Sequence, residues 1–119
     1  MIIGIGLDIV EIKRIENVCL RQERFPARIL TAREKELYLS LSEKRKAEFL
    51  AGRFAAKEAY AKARGTGLGC ELSFLDIEII PDRNGKPYIN KPQFEKAHLS
   101  ITHTEQYAAA QVIIESYKM

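Results

Sequence analysis

FAAKEAYAKA, residues 54–63, reads as a helix that carries a carboxylate where a hydrophobic side chain is expected. Plotted at about 3.6 residues per turn, Glu58 lies at the centre of a stripe made by Ala47, Ala51, Phe54, Ala55 and Ala61, with Lys62 beside it. Burying an unpaired carboxylate is costly, and the usual escapes are protonation, an ion partner or a metal. The same helix has a second apolar face, Phe49, Ala56, Tyr60 and Ala63, opposite Glu58, and a narrow cationic sector of Lys46, Arg53, Lys57 and Arg64. An exposed amphipathic helix has one apolar side. Two such sides imply a helix enclosed by its own sheet and by something else, with another subunit as the expected cover. Arg53 and Lys57 read either as the solvated edge of this helix or as a cationic strip enclosed along with it.

Working outward, the long helix is expected to end near Gly65, and Ser40-Leu-Ser-Glu43 offers a capping box at its start. A second capping box, Thr31-Ala-Arg-Glu34, predicts a short preceding helix. At the N-terminus, residues 1–9 alternate as a strand, with Ile3, Ile5, Leu7 and Ile9 on one face and Ile2, Gly4, Gly6 and Asp8 on the other. Asp8 therefore ends a face that two glycines leave nearly bare. The next segment is helical, with Ile12, Ile15 and Cys19 as its apolar side and Lys13, Arg14, Arg21 and Arg24 on the other, and is expected to stop near Phe25-Pro26. Beyond the long helix, GTGLG at residues 65–69 reads as a flexible loop with backbone amides free to meet an anion. Residues 73–80 then alternate as a strand, Asp82-Arg-Asn-Gly85 forms a turn with the Asn-Gly signature, and residues 86–90 return. Residues 98–102 and 107–114 make a second hairpin. The expected fold is α+β, one domain over residues 1–119, with a long buried helix packed on a small antiparallel sheet.

Length and composition bound what such a domain can do. At 119 residues the chain holds a real core, yet a partner subunit would help bury its surface. Nineteen Lys and Arg against sixteen Asp and Glu leave a net charge of +3, too small an excess for a general nucleic-acid binder. No secretory leader is expected, and no apolar run approaches the roughly 20 residues that span a bilayer. Two cysteines, Cys19 and Cys70, have no His or Cys neighbour at metal spacing, so a reduced cytoplasmic protein is expected.

The chemistry rests on a few constellations. Asp8 and Glu58 both project from apolar elements; they either make separate ion pairs or share a divalent cation. Oxygen ligation by one or two carboxylates, with the other positions left to water and substrate phosphates, is what magnesium needs in a phosphoryl-transfer site. Lys62 follows Glu58 by one helical turn and is either its surface ion partner or, where a metal engages Glu58, a donor to a phosphate oxygen. GTGLG lacks the Lys-Ser/Thr ending of a P-loop and follows a helix, so it is not one. His103 stands alone near a turn, and no nucleophilic triad can be built from its spacing.

Four motifs, taken together, resemble the signature series of the holo-[acyl-carrier-protein] synthase family of phosphopantetheinyl transferases. They are Gly4-Ile-Gly-Leu-Asp8 with Arg14 following, Phe54-Ala-Ala-Lys-Glu58-Ala-Tyr-Ala-Lys62, Asn84-Gly-Lys-Pro87 and Ser100-Ile-Thr-His103. The likeness runs from Met1 to about Glu115, and its specificity lies in the order and spacing of the motifs. One departure is Thr102, where the family is expected to have Ser; the hydroxyl is retained.

The resemblance implies transfer of the phosphopantetheine arm of coenzyme A to a serine of an apo acyl carrier protein, with release of adenosine 3',5'-bisphosphate, in support of fatty acid biosynthesis. It implies a magnesium-dependent homotrimer with active sites at subunit interfaces, Asp8 and Glu58 as metal ligands and Lys62 as their catalytic companion. By the same likeness Arg45, the turn Asn84, Gly85, Lys86 and Pro87, His103 and Thr104 fall near the nucleotide and ribose phosphate. Gly65 and Thr66 fall near the diphosphate or pantetheine arm, and Arg53 and Lys57 join the phosphate site. The acceptor of the serine proton stays open among Glu58, Asp8 and a metal-bound water. Arg14, Arg21, Arg24 and Arg28 form a cationic series suited to an acidic carrier. A metal-dependent nucleotide or diphosphate hydrolase would use the same acid pair. A small basic RNA-binding module is disfavoured by the lack of a basic strand face studded with aromatics, and a purely structural subunit leaves Glu58 unexplained.

Overall fold

The computed structural model describes residues 1–93 and 96–116. Strand β1 (Ile2–Glu11) runs directly into helix α1 (Ile12–Arg21), which buries Ile12 and Ile15 and packs Cys19 against the core. α1 ends at Arg21, earlier than its cationic face implied. Pro26 does not terminate it but sits in the first turn of a separate helix, α2 (Phe25–Ile29), where a missing N–H costs nothing. Helix α3 (Ala32–Leu39) begins at the predicted capping box: the Glu34 amide donates to Thr31 Oγ1 at 3.4 Å and the Thr31 amide to Glu34 Oε1 at 2.8 Å.

Helix α4 (Glu43–Arg64) is the long one. Its N-cap is Ser42, whose hydroxyl accepts from the Arg45 amide, and not Ser40, whose hydroxyl donates back to the Leu37 carbonyl at 2.7 Å. Its C-cap is Gly65 in the left-handed region, φ 79°, as glycine at that position permits. A 3₁₀ turn, Phe74–Asp76, replaces the first half of the strand expected from residue 73; Asp76 Oδ2 accepts from the Ser73 amide and holds it. The strand proper, β2 (Glu78–Pro81), pairs with β3 (Pro87–Lys91) across the predicted turn, where Asp82 Oδ1 accepts from the Asn84 and Lys86 amides. The second hairpin is β4 (Lys96–His103) and β5 (Tyr107–Glu115).

The two hairpins belong to different sheets. β1, β5 and β4 form a three-stranded antiparallel sheet in that order, with Ile5 opposite Ile113 and Asp8 opposite Ala110, while β2 and β3 stand apart as a pair. α4 lies on the first sheet, against the inward side chains Ala108, Ala110, Val112 and Ile114 of β5. Its other side is covered by α1, α2, α3 and the 3₁₀ turn, with Phe54 packed between Phe25 and Phe74. The second cover that two apolar faces demanded thus comes from the chain itself, and not from another subunit. The surplus apolar surface is elsewhere: Ile3, Ile5, Leu7 and Ile9 on the outer face of β1 are each more than half exposed. No helix among the described residues is long and apolar enough to cross a membrane.

Candidate active site

Gly4 and Gly6 set the position of everything at the acid site. A Cβ built on Gly4 would lie 1.9 Å from the Ala63 carbonyl oxygen, and one on Gly6 1.8 Å from that of Ala59. The strand backbone therefore rests directly on the helix backbone. Two residues of strand advance about 6.6 Å and four residues of helix about 6 Å, so the two elements stay in step. Continuing from Gly6, Asp8 reaches the level of the turn that holds Ala55 and Glu58. The face that looked bare in the sequence is the contact surface.

Three charged side chains meet there. Lys62 Nζ donates to Asp8 Oδ1 at 3.0 Å and to the Leu7 carbonyl at 3.0 Å, so its partner is Asp8 across the strand and not Glu58 along the helix. Glu58 is partly buried, and its carboxyl is held above the usual carboxylate range, first by burial and then by the charge of Asp8, with Lys62 opposing. Two carboxylates thus repel one another across a site that offers one ammonium. That surplus of negative charge, on hard oxygen donors beside the more exposed Lys62, fits a divalent cation with few protein ligands. Among the described residues, no cluster of three or more acidic, His or Cys side chains exists that could form a fuller cage.

A second set of the sequence-predicted residues lines a cleft of about 300 Å³. α4 contributes Arg45, Glu48, Phe49 and Arg53, the β2–β3 hairpin Pro81, Gly85 and Pro87, and β4 Ile101 and His103. Arg53 is only 8 % exposed, its guanidinium lies 4.2 Å from the Phe49 ring centroid, and its Nε has no hydrogen-bond partner among the described residues. Burial lowers its pKa to about 10 against the opposing charge of Glu34, which leaves it cationic at neutral pH. A buried cation with an unused donor is suited to an anion. Asn84 and Lys86 are exposed on the same turn, outside the lining. Thr104 accepts from the Gln106 and Tyr107 amides at the neighbouring β4–β5 turn. Gly65 and Thr66 stand at the far end of α4, away from the cleft.

Lys57 requires a correction. It is neither a solvated edge nor available to a phosphate: fully buried, its Nζ donates to Glu34 Oε1 at 2.6 Å, to the Ile29 carbonyl at 2.6 Å and to the Phe74 carbonyl at 3.0 Å. Three donors meet three acceptors, and none remains for a ligand. Burial lowers the Lys57 pKa, with Glu34 opposing. Glu34 in turn accepts from the Thr31 and Ile79 amides, so one buried ion pair ties α2, α3, α4, the 3₁₀ turn and β2 together.

Sequence reasoning missed Glu34 as more than a cap, and it missed Glu48, whose Oε2 lies 3.9 Å from His103 Nδ1 within the cleft. No local pattern marks either role, because Glu34 and Glu48 each meet the facing basic group only through chain folding. Arg14, Arg21, Arg24 and Arg28 are all exposed on or beside α1 and α2, with Arg28 also donating to Gln22 Oε1 at 3.4 Å. The acid site and the cleft lie at opposite edges of the three-stranded sheet, on β1 and β4.

Comparison with known proteins gives a consistent picture. The profile of the 4'-phosphopantetheinyl transferase superfamily matches residues 4–112. The chain is 64% identical over 117 residues to the holo-[acyl-carrier-protein] synthase of Bacillus subtilis (strain 168), covering 97% of each. The crystal structure of a holo-(acyl-carrier-protein) synthase from Bacillus anthracis str. Ames in complex with CoA (3',5'-ADP) superposes with a TM-score of 0.92 at 51% identity, covering 98% of both chains. The Helicobacter pylori holo-[acyl-carrier-protein] synthase in complex with coenzyme A gives 0.82 at 38% identity, over 93% of this chain and 99% of that one.

Proposed function

Because the chain belongs to the 4'-phosphopantetheinyl transferase superfamily, we infer that it moves the phosphopantetheine arm of coenzyme A onto a serine of an apo acyl carrier protein. Adenosine 3',5'-bisphosphate is the other product. The serine hydroxyl takes the place of the bisphosphate on the pantetheine-bearing phosphorus, and its proton is lost to a base. The observation that carries this reading is the convergence of Asp8, Glu58 and Lys62 where two glycines seat β1 on α4.

Asp8 and Glu58 would hold a magnesium ion, and Lys62, already beside Asp8, would donate to the same phosphate oxygens. When bound, the cation neutralises diphosphate charge and improves the departing bisphosphate as a leaving group. Arg53 would receive a nucleotide phosphate in the cleft, Arg45 and His103 would lie beside the nucleotide, and the exposed turn of Asn84 and Lys86 would close over it with Thr104 at its margin. The Gly65–Thr66 backbone, at the other end of α4, would meet the diphosphate or pantetheine arm. Lys57 is left out of this set. Its ammonium supports the scaffold instead.

We further propose that the chain acts as one transferase domain in the cytoplasm, in support of fatty acid biosynthesis, and that it assembles as a homotrimer. Support for assembly comes from the exposed Ile3, Ile5, Leu7 and Ile9 face and from the separation of acid site and cleft at opposite sheet edges. A neighbouring copy docked on that face would bring one chain's acids toward another's cleft. Sedimentation equilibrium giving three times the chain mass supports this, and a monomer mass refutes it.

The transfer reading is tested by incubating the protein with coenzyme A, magnesium and an apo carrier and weighing the carrier. A gain of one phosphopantetheine group is the expected result. Coenzyme cleavage with an unmodified carrier would establish a hydrolase instead.

A further inference from the structure

Among the described residues, Glu48 is the one acid in a cleft whose basic side chains are Arg45, Arg53 and His103. Its side chain is 19 % exposed and, among the described residues, accepts no hydrogen bond; the nearest basic group, His103 Nδ1, is 3.9 Å away, beyond hydrogen-bonding range. A carboxylate placed where an anionic nucleotide is to bind weakens binding unless it meets a donor on the ligand. An ionised carboxylate can only accept.

We propose that Glu48 reads the base of the coenzyme, accepting a hydrogen bond from the exocyclic amine of adenine. This rests on the coenzyme A reading above and deepens it by assigning a specificity residue. The nucleotide offers two kinds of donor, the base amine and the ribose 2'-hydroxyl. The hydroxyl adjoins the 3'-phosphate, so a carboxylate directed there faces a like charge at close range. The amine lies at the end of the nucleotide farthest from the phosphates. The lining also includes the apolar side chains of Phe49 and Ile101 and, from the hairpin, Pro81 and Pro87, suited to a planar ring. Arg53 then anchors phosphate while Glu48 selects the base. A guanine or hypoxanthine base would turn a carbonyl oxygen toward Glu48, acceptor against acceptor.

The test compares calorimetric dissociation constants of adenosine, inosine and 2'-deoxyadenosine 3',5'-bisphosphates for wild type and Glu48→Gln. The amide of glutamine is close in shape and can both donate and accept. Wild type should prefer the adenosine over the inosine compound by about tenfold or more, the scale of a hydrogen bond to a charged group. Glu48→Gln should bring that ratio near unity while leaving the 2'-deoxy ratio unchanged. An unaltered adenosine-to-inosine ratio, or a change confined to the 2'-deoxy ratio, overturns the assignment while carrier modification by wild type stands. Failure of wild type both to bind adenosine bisphosphate and to modify the carrier overturns the underlying reading as well.

Discussion

Replacing Gly6 by alanine should destabilise the protein and disarm the acid site in one step. The added Cβ would fall 1.8 Å from the Ala59 carbonyl oxygen and 2.8 Å from the Ala63 amide nitrogen, where real Cβ atoms are not found under 3.0 Å. Both neighbours are backbone of α4, so no side chain can swing aside. Strand and helix must part by at least the missing 1.2 Å, the difference between 3.0 and 1.8. A gap of about 1 Å already forfeits a quarter to a half of each contact along the seam, here between β1 and the fully buried Ala55 and Ala59. Overpacking typically costs about 1–3 kcal/mol, and a clash with fixed backbone belongs at about 3 kcal/mol or above, roughly 10 °C in melting temperature for a domain of this size. Denaturant unfolding, with Gly69→Ala as control, measures it; a Cβ at Gly69 meets nothing within 4 Å. If Gly6→Ala proves as stable as the control, the account of how Asp8 is positioned is wrong.

Other outcomes follow from the same contacts. Lys57→Met should lose about 3–5 kcal/mol by stranding Glu34 in the core, whereas Glu34→Leu combined with Lys57→Met should recover a large part of it; equal losses in single and double variants would contradict the pairing. Glu58 has its folded-state pKa raised above the unfolded value, so its contribution to stability is present at low pH and lost as pH rises through the raised pKa. Glu58→Gln should therefore raise the melting temperature of the metal-free protein at neutral pH, and a lower one refutes the strained-charge reading. Arg14→Glu should raise the carrier's KM by about tenfold, with the effect shrinking at high salt, while kcat holds; an unchanged KM removes that arginine from the docking face.

Much of the architecture was readable because it depends on local chemistry. The Thr31–Glu34 box, the Gly65 stop, the Asp82–Gly85 turn and the alternation of β1 each follow from a side chain and its immediate neighbours. The larger misreadings are matters of what lies across the fold. Lys57 carries the same charge as Arg45, and only the approach of Ile29, Glu34 and Phe74 makes it an interior group. Two apolar faces on α4 correctly required two covers, but periodicity cannot say which chain supplies the second. Gly4 and Gly6 look like omissions in a strand pattern until a helix backbone occupies the space of their missing side chains. Asp8 and Glu58 stood out in the sequence because both break an apolar pattern. Glu48 breaks none and needed the cleft to reveal it.

The central claim is that Asp8 and Glu58 jointly hold one divalent cation, and paramagnetic resonance titration of Mn²⁺ with coenzyme A present tests it most directly. Wild type should show a saturable site per chain, weakened by about tenfold or more in both Asp8→Asn and Glu58→Gln. Mn²⁺ binding of wild-type affinity in either variant would contradict it.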